Sequence, residues 1–404
     1  MKRDLVNKKT IIFFFISIMS IALLKSQPIK RYGLNKKYLK EFQKQLIEEG
    51  RTGGNVILIS KHGEILYHHI QSSNKQGDKI ITDQTLFPIW SMTKPITTIA
   101  ALILREKKML DFDDPVSKYI PAFKNLKCKS KEGVVTCKKE VKVIHILTHM
   151  SGLYYYDDFM LDAIRAETLE DLMEDIAEYP LEFEPGERYL YGLNQDVLGR
   201  VIEVASGKSF SGFLQEYIFD PLEMNQTRFF LTTQEKKLVL PLFVKNQHIE
   251  GFNGTGITGI NDLISYDQEY KPALGSLGLI SSVKDYSNFC SMLLNKGKFK
   301  AKRILSPQSI LELTVKYADG PFASDKDFMG VYNGLGVYVL DDPSLMDFKA
   351  PKGLYGHGGY QSTEFFIDPK NKIYGLFLNR SLTDYNHRFY FIKAVYDSFE
   401  NQPY

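Results

Sequence analysis

The chain has 404 residues, of which 44% are hydrophobic and 25% are charged, and these proportions are those of a globular protein that buries a substantial core. Its formal net charge is only +3 and its basic residues are evenly spread, which excludes nucleic-acid binding through a strongly basic surface. The length allows one large domain or two moderate ones.

The N-terminus has a basic start followed by a short apolar run. Lysine and arginine residues among the first nine precede residues 10–24, TIIFFFISIMSIALL, which contain no charged side chain. This pattern is typical of a secretory signal, and the run is shorter than the roughly 17–25 residues that span a bilayer. We therefore predict that residues 1–27 are a signal peptide, with an uncleaved membrane anchor as the alternative. Either way the protein is expected to be exported, to the periplasm or the cell exterior.

The first elements after this leader have clear periodicities. Residues 36–49 have the amphipathic pattern of a helix, and residues 55–70 alternate around His62-Gly63, which predicts a β-hairpin. Residues 88–110, PIWSMTKPITTIAALILREKKML, begin with polar residues and continue as an apolar run that predicts a buried helix.

The cysteines lie where an exported protein can use them. Cys128 and Cys137 flank KSKEGVVT, a predicted hairpin with Gly133 near its turn. In an oxidising compartment a disulfide across such a hairpin is reasonable, and we predict it, with two free thiols as the alternative. Cys290 lies in an amphipathic segment and is interpreted as a small buried apolar residue.

The rest of the chain changes from helical to strand patterns. The middle is mostly helical, whereas YNGLGVYVL and STEFFIDPKNKIYGLFLNR predict strands, the second pair joined by a turn at residues 368–371. A final helix follows from His387. We predict an α/β (α+β) fold in residues 35–404, with an antiparallel sheet built from both chain ends, flanking helices, and a mainly helical lobe at roughly 110–320. The cleft between sheet and lobe is the natural place for a site.

Several familiar site patterns fail on inspection. Residues 205–209, ASGKS, resemble the end of a phosphate loop, but Ile202 occupies the position where that motif requires glycine. There is no Gly-x-Ser-x-Gly nucleophile elbow. His145 and His149 have a spacing that could bind zinc, but no carboxylate ligand is evident nearby, so we interpret both as structural. No metal and no cofactor are expected.

Ser91 and Lys94 survive this inspection. Three residues apart at the start of a predicted helix, their side chains lie on nearly the same face, with Ser91 at the positive end of the helix dipole. Pro95 is tolerated only in the first turn, which places the helix start close to Ser91. A partly desolvated lysine there would have a lowered pKa and could accept a proton at neutral pH. Taken alone, the pair is better explained by a capping serine and a solvated lysine, because Ser-x-x-Lys occurs by chance in many proteins.

Two later motifs change this reading. Tyr191 follows Pro185-Gly186, and His357-Gly358-Gly359 begins a predicted strand. With Ser91-Met92-Thr93-Lys94 they resemble, in order and rough spacing, the three motifs of the serine penicillin-recognising enzymes. That superfamily includes class C β-lactamases, D-alanyl-D-alanine carboxypeptidases and related carboxylesterases. LDFDDPVSKYIP, ILTHMSGL, DVLGRVIEVASG and LGSLGLISSVKDYSNF also look like this superfamily, so the resemblance spans about residues 50–395.

The resemblance implies a serine hydrolase mechanism. Ser91 would attack an acyl carbonyl and form an acyl-enzyme, while Lys94 and the Tyr191 phenol exchange protons with it and with the leaving group. His357 would complete the hydrogen-bond network at a position where many relatives have lysine.

The same resemblance assigns the groups that hold the substrate. The backbone N–H groups of Ser91 and Tyr360 would form the oxyanion hole. Gly358 and Gly359 would let the substrate backbone approach the strand closely.

The chain departs from the β-lactamase pattern at two recognition positions. Leu193 stands where relatives have the asparagine of Tyr-x-Asn, and Asn194 is one position late, about 100° away on a helix. His357-Gly358 replaces Lys-Thr, which removes an ammonium and a hydroxyl that would bind a substrate carboxylate. Leu193 is therefore predicted to line the substrate site, and these changes favour an esterase acting on a small-molecule ester or related acyl substrate.

Other functions stay open at this point. A D-amino-acid peptidase or transpeptidase, a β-lactamase, and a catalytically inactive binding protein of the same fold are the alternatives. The sequence makes no prediction of the oligomeric state.

Overall fold

The computed structural model describes residues 33–156, 162–163, 165–253, 272–319, 329–346, 349–383 and 387–399. The predicted leader, residues 1–27, lies outside this part of the chain. Within the described ranges no helix combines the length and the apolarity needed to cross a membrane.

The described α-helices are, in chain order, α1 Lys36–Glu48, α2 Thr93–Glu106, α3 Val143–Leu147, α4 Leu169–Glu178, α5 Asn194–Ser206, α6 Phe210–Leu214, α7 Thr233–Lys236, α8 Val283–Leu294, α9 Pro307–Glu312 and α10 His387–Asp397. The described strands are β1 Asn55–Lys61, β2 Glu64–Gln71, β3 Phe87–Pro88, β4 Lys127–Ser130, β5 Gly133–Thr136, β6 Leu242–Lys245, β7 Glu250–Asn253, β8 Ile280–Ser281, β9 Lys298–Phe299, β10 Lys302–Arg303, β11 Ala318–Asp319, β12 Val331–Asn333, β13 Tyr338–Leu340, β14 Tyr355–Gly359, β15 Thr363–Asp368, β16 Ile373–Asn379 and β17 Ser381–Leu382. A 3₁₀ turn, Trp90–Met92, leads directly into α2.

The main sheet has eight strands in the order β11-β12-β13-β14-β15-β16-β1-β2. Neighbouring strands are antiparallel throughout, and β1 joins the two chain ends by pairing Asn55 with Asn379 and Lys61 with Ile373. The predicted antiparallel sheet built from both termini is therefore confirmed.

Turn chemistry explains the register of the N-terminal hairpin. Lys61 pairs with Glu64 across the two-residue loop His62-Gly63, in which both residues have positive φ, 54° and 84°. This is the backbone of a type I′ turn, whose twist matches that of the strands. The hairpin predicted from the alternating pattern around these residues is confirmed.

The sheet separates two apolar cores. All residues of β1 are buried, and successive side chains point to opposite faces. Val56 and Leu58 belong to the larger core, shared with α2, α5 and α8, whereas Ile57 and Ile59 pack with α1 and α10. The alternation predicted for residues 55–70 does not extend through β1, where residues 56–59 are consecutive apolar residues because both faces are buried.

Helix α2 is the centre of the larger core. Every residue from Thr93 to Leu104 is buried, which fits its nearly uniform apolar sequence. Its N-terminal end lies against β14, because a Cβ added to Gly359 would come within 2.4 Å of the Ile89 carbonyl oxygen. The fold thus brings the Ser91 turn beside the strand that carries His357.

The bonding states of the three cysteines agree with the sequence analysis. The structure joins Cys128 to Cys137 by a disulfide across the β4–β5 hairpin. Cys290, on α8, is a free and fully buried thiol.

Candidate active site

The nucleophile candidate and its lysine meet at the start of α2. Ser91 lies in the 3₁₀ turn and Lys94 in the first helical turn, so α2 itself begins at Thr93, two residues later than Ser91. Lys94 Nζ donates a hydrogen bond to Ser91 Oγ at 3.0 Å. Pro95 falls in the first turn, where a backbone N–H has no acceptor within the helix.

The Lys94 side chain is fully buried and its nitrogen is surrounded by oxygen atoms. Besides Ser91 Oγ, Nζ lies 3.3 Å from the Tyr155 hydroxyl and donates to the Ser276 carbonyl oxygen at 2.8 Å. An ammonium group has three N–H donors, and here each has an acceptor. The contacts fit the protonated form of the lysine.

The expectation of a lowered Lys94 pKa is wrong. Burial does lower it, but attraction to the oxygens of Tyr155 and Tyr191 and to the Asp196 carboxylate outweighs burial, and the net effect raises the Lys94 pKa. The sequence analysis counted desolvation and omitted these partners, which come from distant segments. Lys94 is thus the positive charge of the site rather than its neutral base.

Tyr191 is the second group on the nucleophile. Its hydroxyl donates to Ser91 Oγ at 2.8 Å, and Lys94 Nζ lies 4.7 Å from the centre of its ring. The predicted residues Ser91, Lys94 and Tyr191 are therefore brought together. Each pair among the three is in direct contact.

His149 fixes the Tyr191 ring from behind. The two rings stack with their centres 5.0 Å apart and an interplanar angle of 23°. Burial, with a contribution from Lys94, lowers the His149 pKa to about 3, so this imidazole is neutral. Asn194 Nδ2 donates to His149 Nδ1 at 3.0 Å, and Ser151 donates to Asn194 Oδ1 at 2.5 Å. Asn194 thus orients His149 and does not replace the missing recognition amide.

His145 has a different structural role. The Lys142 N–H donates to His145 Nδ1 at 3.1 Å, which caps the start of α3. The structural interpretation of both histidines is therefore confirmed. In the part of the chain that the structure describes, no group of His, Cys, Asp and Glu side chains could hold a metal ion.

Tyr155 belongs to the site and was missed by the sequence analysis. Its ring centre lies 5.9 Å from that of Tyr191, and burial, the largest effect, raises the Tyr155 pKa to about 12. Gly192 makes the approach possible, because a Cβ there would come within 2.4 Å of the Leu153 carbonyl oxygen and 2.6 Å of Tyr154 Cα. The sequence held no usable signal, since Tyr155 is the middle one of three consecutive tyrosines.

The His-Gly-Gly strand lies beside the nucleophile turn. His357 Nδ1 is 2.8 Å from the Gly358 carbonyl oxygen, which requires the proton on Nδ1. The Tyr360 ring meets the Trp90 ring edge to face, with centres 5.3 Å apart, and Tyr360 is 54% exposed. The Tyr360 ring therefore packs against the residue that precedes Ser91. The oxyanion N–H groups of Ser91 and Tyr360 and the role of His357 stay predictions.

The predicted substrate-binding residues differ in exposure. Leu193 is fully buried in the larger core just before α5, so its side chain offers no surface to a substrate. Gly358 is buried within β14, and Gly359 is half-buried. A Cβ at Gly359 would meet Thr363 Oγ1 at 2.2 Å, so this close packing itself requires glycine.

A family model described as Beta-lactamase matches residues 39–395. The chain belongs to the Beta-lactamase family. Esterase EstB of Burkholderia gladioli is 32% identical over 210 residues, which cover 49% of this chain and 52% of the esterase. The lovastatin esterase of Penicillium rubens is 27% identical over 373 residues, covering 82% of this chain and 89% of the relative.

Solved structures support the same fold. The structure of EstCE1, described as a hydrolase with promiscuous acyltransferase activity, has a TM-score of 0.76 at 22% identity and covers 90% of this chain and 97% of that one. The chain therefore has the fold of these proteins, and its match spans only about half of the length of EstB.

Proposed function

We propose that this protein is an exported esterase that hydrolyses a carboxylic ester or related acyl substrate through an acyl-enzyme on Ser91. One observation carries the proposal. Ser91 Oγ is held between the Lys94 ammonium at 3.0 Å and the Tyr191 hydroxyl at 2.8 Å. Ser91 Oγ therefore has on one side a phenol that can relay a proton and on the other a fixed positive charge.

Acylation follows from this arrangement. The Tyr191 phenol relays the proton: it accepts the Ser91 proton as Ser91 Oγ bonds to the carbonyl carbon, and it gives its own hydroxyl proton to the alcohol oxygen as the ester bond breaks. In deacylation water attacks the same carbonyl carbon and its proton passes to Tyr191. The proton returns to Ser91 Oγ as the acid leaves.

The recognition positions favour neutral acyl substrates. Where relatives present an amide, an ammonium and a hydroxyl, this chain has Leu193, His357 and Gly358. A penicillin or a D-alanine peptide brings a carboxylate that the missing ammonium and hydroxyl would bind, so its binding is weakened here. The esterase names of two relatives support the same preference.

A side-by-side activity screen tests the substrate class. We expect turnover of p-nitrophenyl acetate and butyrate to exceed that of a D-alanyl-D-alanine peptide and of nitrocefin. Ser91→Ala is expected to abolish turnover and labelling by a fluorophosphonate. Faster turnover of the peptide or of nitrocefin would instead assign a peptidase or a β-lactamase. Absence of labelling by both a fluorophosphonate and a fluorescent penicillin would assign a binding protein.

Export is proposed from the leader and supported by the disulfide. Cys128 and Cys137 are joined, and such bonds persist mainly in oxidising compartments. Cell fractionation of the full-length chain, with sequencing of its mature N-terminus, tests this. We expect the protein outside the cytoplasm. Recovery of full-length chain in the cytoplasmic fraction alone contradicts export.

A further inference from the structure

A short segment at Gly275-Ser276 lies between α2 and α5, behind the nucleophile. Thr97 on α2 donates to the Gly275 carbonyl oxygen at 2.7 Å. A Cβ added to Gly275 would come within 2.2 Å of the Gln195 carbonyl oxygen on α5. The backbone of this segment is therefore held tightly against both helices, and a displacement of either helix reaches it.

The backbone of Ser276 connects a carboxylate to the catalytic lysine. Its carbonyl oxygen accepts from Lys94 Nζ at 2.8 Å, and its N–H donates to Asp196 Oδ1 at 2.9 Å. Asp196 lies in the first turn of α5 and is fully buried. A single residue, Ser276, thus lies between the Asp196 carboxylate and Lys94.

Burying the Asp196 carboxylate costs free energy that accepting one hydrogen bond does not require. Its Oδ2 atom has no well-formed hydrogen bond among the described residues, although the Ser276 hydroxyl lies close enough to lower the carboxyl pKa. Burial, the largest effect, raises the Asp196 pKa to about 6, against the attraction of Lys94. A neutral asparagine would accept the same N–H without the cost of burying a charge.

The charge of Asp196 has an identifiable counterpart. Its attraction is among the effects that raise the Lys94 pKa, in opposition to the burial of the ammonium. Buried charges are tolerated when they are paired, and the two buried groups here are joined through the backbone of one residue, Ser276. Lys94 in turn donates directly to Ser91 Oγ.

We propose that Asp196 is a positioning residue for the reaction, which holds the Ser276 carbonyl against Lys94 and supplies the buried negative charge that keeps Lys94 an ammonium facing Ser91. This role rests on the proposed acyl-enzyme function. Asp196 touches no reacting atom and acts only through Ser276 and Lys94.

Two substitutions separate charge from hydrogen bonding. Asp196→Asn keeps the shape and a carbonyl oxygen acceptor but removes the charge, whereas Asp196→Ala removes both. Asp285→Asn is the matched control, because Asp285 is also a buried carboxylate in the first turn of a helix, α8, and accepts from the Gln226 N–H and the Thr227 hydroxyl. Ester turnover, the rate of fluorophosphonate labelling and the thermal midpoint are measured for all three variants.

We expect D196N to lower kcat and the labelling rate about 10²-fold, with KM changed less than about twofold, since displacing a catalytic group costs on this order. Its thermal midpoint should fall no further than that of D285N, which keeps wild-type kcat. Wild-type kcat in D196N overturns the proposal, as does an equal loss of kcat in D285N. A wild-type enzyme that is neither labelled nor active refutes the proposed function and this inference with it, whereas an active wild type with an unaffected D196N refutes the inference alone.

Discussion

At the residue scale, the charge on Lys94 determines which group accepts the Ser91 proton in the proposed mechanism. The Lys94 ammonium is held by Ser91, Tyr155 and Ser276 and has no lone pair to offer. The Tyr191 phenol, whose hydroxyl lies 2.8 Å from Ser91 Oγ, is then the predicted residue that can relay this proton. The positive charge therefore acts by stabilising negative oxygens around it.

Removing either partner of Ser91 should slow acylation. We expect Tyr191→Phe and Lys94→Ala each to lower the acylation rate on the order of 10²–10⁴-fold, because one removes the proton acceptor and the other the charge that stabilises it. Tyr155→Phe, which removes the hydroxyl that lies 3.3 Å from Lys94 Nζ, should cost less, because Tyr155 has no assigned part in the proton transfer. Stopped-flow measurement of p-nitrophenol release gives the rates. Normal acylation in both Y191F and K94A would contradict the proton-transfer scheme.

His149 should make the fold sensitive to acid. Its pKa is about 3 when folded, against an ordinary value of 6.5, so between these values the unfolded state binds more protons. The free energy of unfolding therefore falls as pH drops below about 6.5, by up to about 1.4 kcal/mol per pH unit from this residue. Asp196, with its pKa raised to about 6, opposes this at lower pH.

Comparing the pH dependence of unfolding among variants isolates the contribution of His149. Urea unfolding at several values from pH 7.5 to pH 5 is compared for wild type, His149→Asn and His248→Asn, where His248 is an exposed control. We expect H149N to lose part of the acid dependence and H248N to keep it. Parallel curves for wild type and H149N would show that His149 titrates alike in both states.

At the element scale, α2 and the loop before α5 set the geometry of the site. The Ser91-x-x-Lys94 spacing and Pro95 allowed the start of α2 to be predicted within two residues, because both are local features of one turn. The loop that presents Tyr191 depends on a contact with a distant segment. Gly192 lies against Leu153 and Tyr154 with no room for a side chain.

That contact is testable with two glycines of the same region. Gly192→Ala should destabilise the protein by about 1–3 kcal/mol and lower kcat, because the added methyl group meets backbone atoms that cannot move aside freely. Gly199→Ala, inside α5, meets side-chain atoms only at 3.4 Å and should be neutral or stabilising. Chemical denaturation and ester turnover report both effects. Equal behaviour of the two variants would show that the Gly192 contact is not limiting.

Local features of the site were predictable from the sequence, whereas contacts between distant segments were not. Ser91, Lys94 and Tyr191 were predictable because ordered motifs with matching surroundings identify them. The raised Lys94 pKa and the roles of Tyr155 and Asp196 were not predictable from the sequence. They arise where separate segments converge on Lys94, and no local pattern records that convergence. Leu193 was misplaced for a related reason, since a periodic pattern does not show whether a loop residue faces the core or the cleft.

At the scale of the whole molecule, the sheet joins both chain ends. Helices pack on both of its faces, one apolar core on each side. The predicted composition of this sheet was correct because period-two patterns at both ends of the chain were clear. The order of its strands was not predictable from those patterns. Register across β1 and β16 depends on which apolar faces meet in each core.

The disulfide should contribute to global stability. It closes a loop with a sequence separation of 9, and a loop of about ten residues corresponds to roughly 2–3 kcal/mol in the chain-entropy account. We expect Cys128→Ala with Cys137→Ala to lower the free energy of unfolding by about that amount. Dithiothreitol should lower the stability of wild type similarly and leave the double variant unchanged. A wild type unaffected by complete reduction would contradict this.

The pairing of β1 with β16 also determines when the candidate site can form. Asn55 leaves the ribosome long before its partner Asn379 exists, so the sheet cannot close until nearly the whole chain has been made. Pairings between such distant segments form slowly. The strand that carries His357 also emerges late, so the Ser91 turn has no β14 to lie against during synthesis. The candidate site therefore cannot assemble while the chain is being made, which suits the proposed export of an unfolded chain.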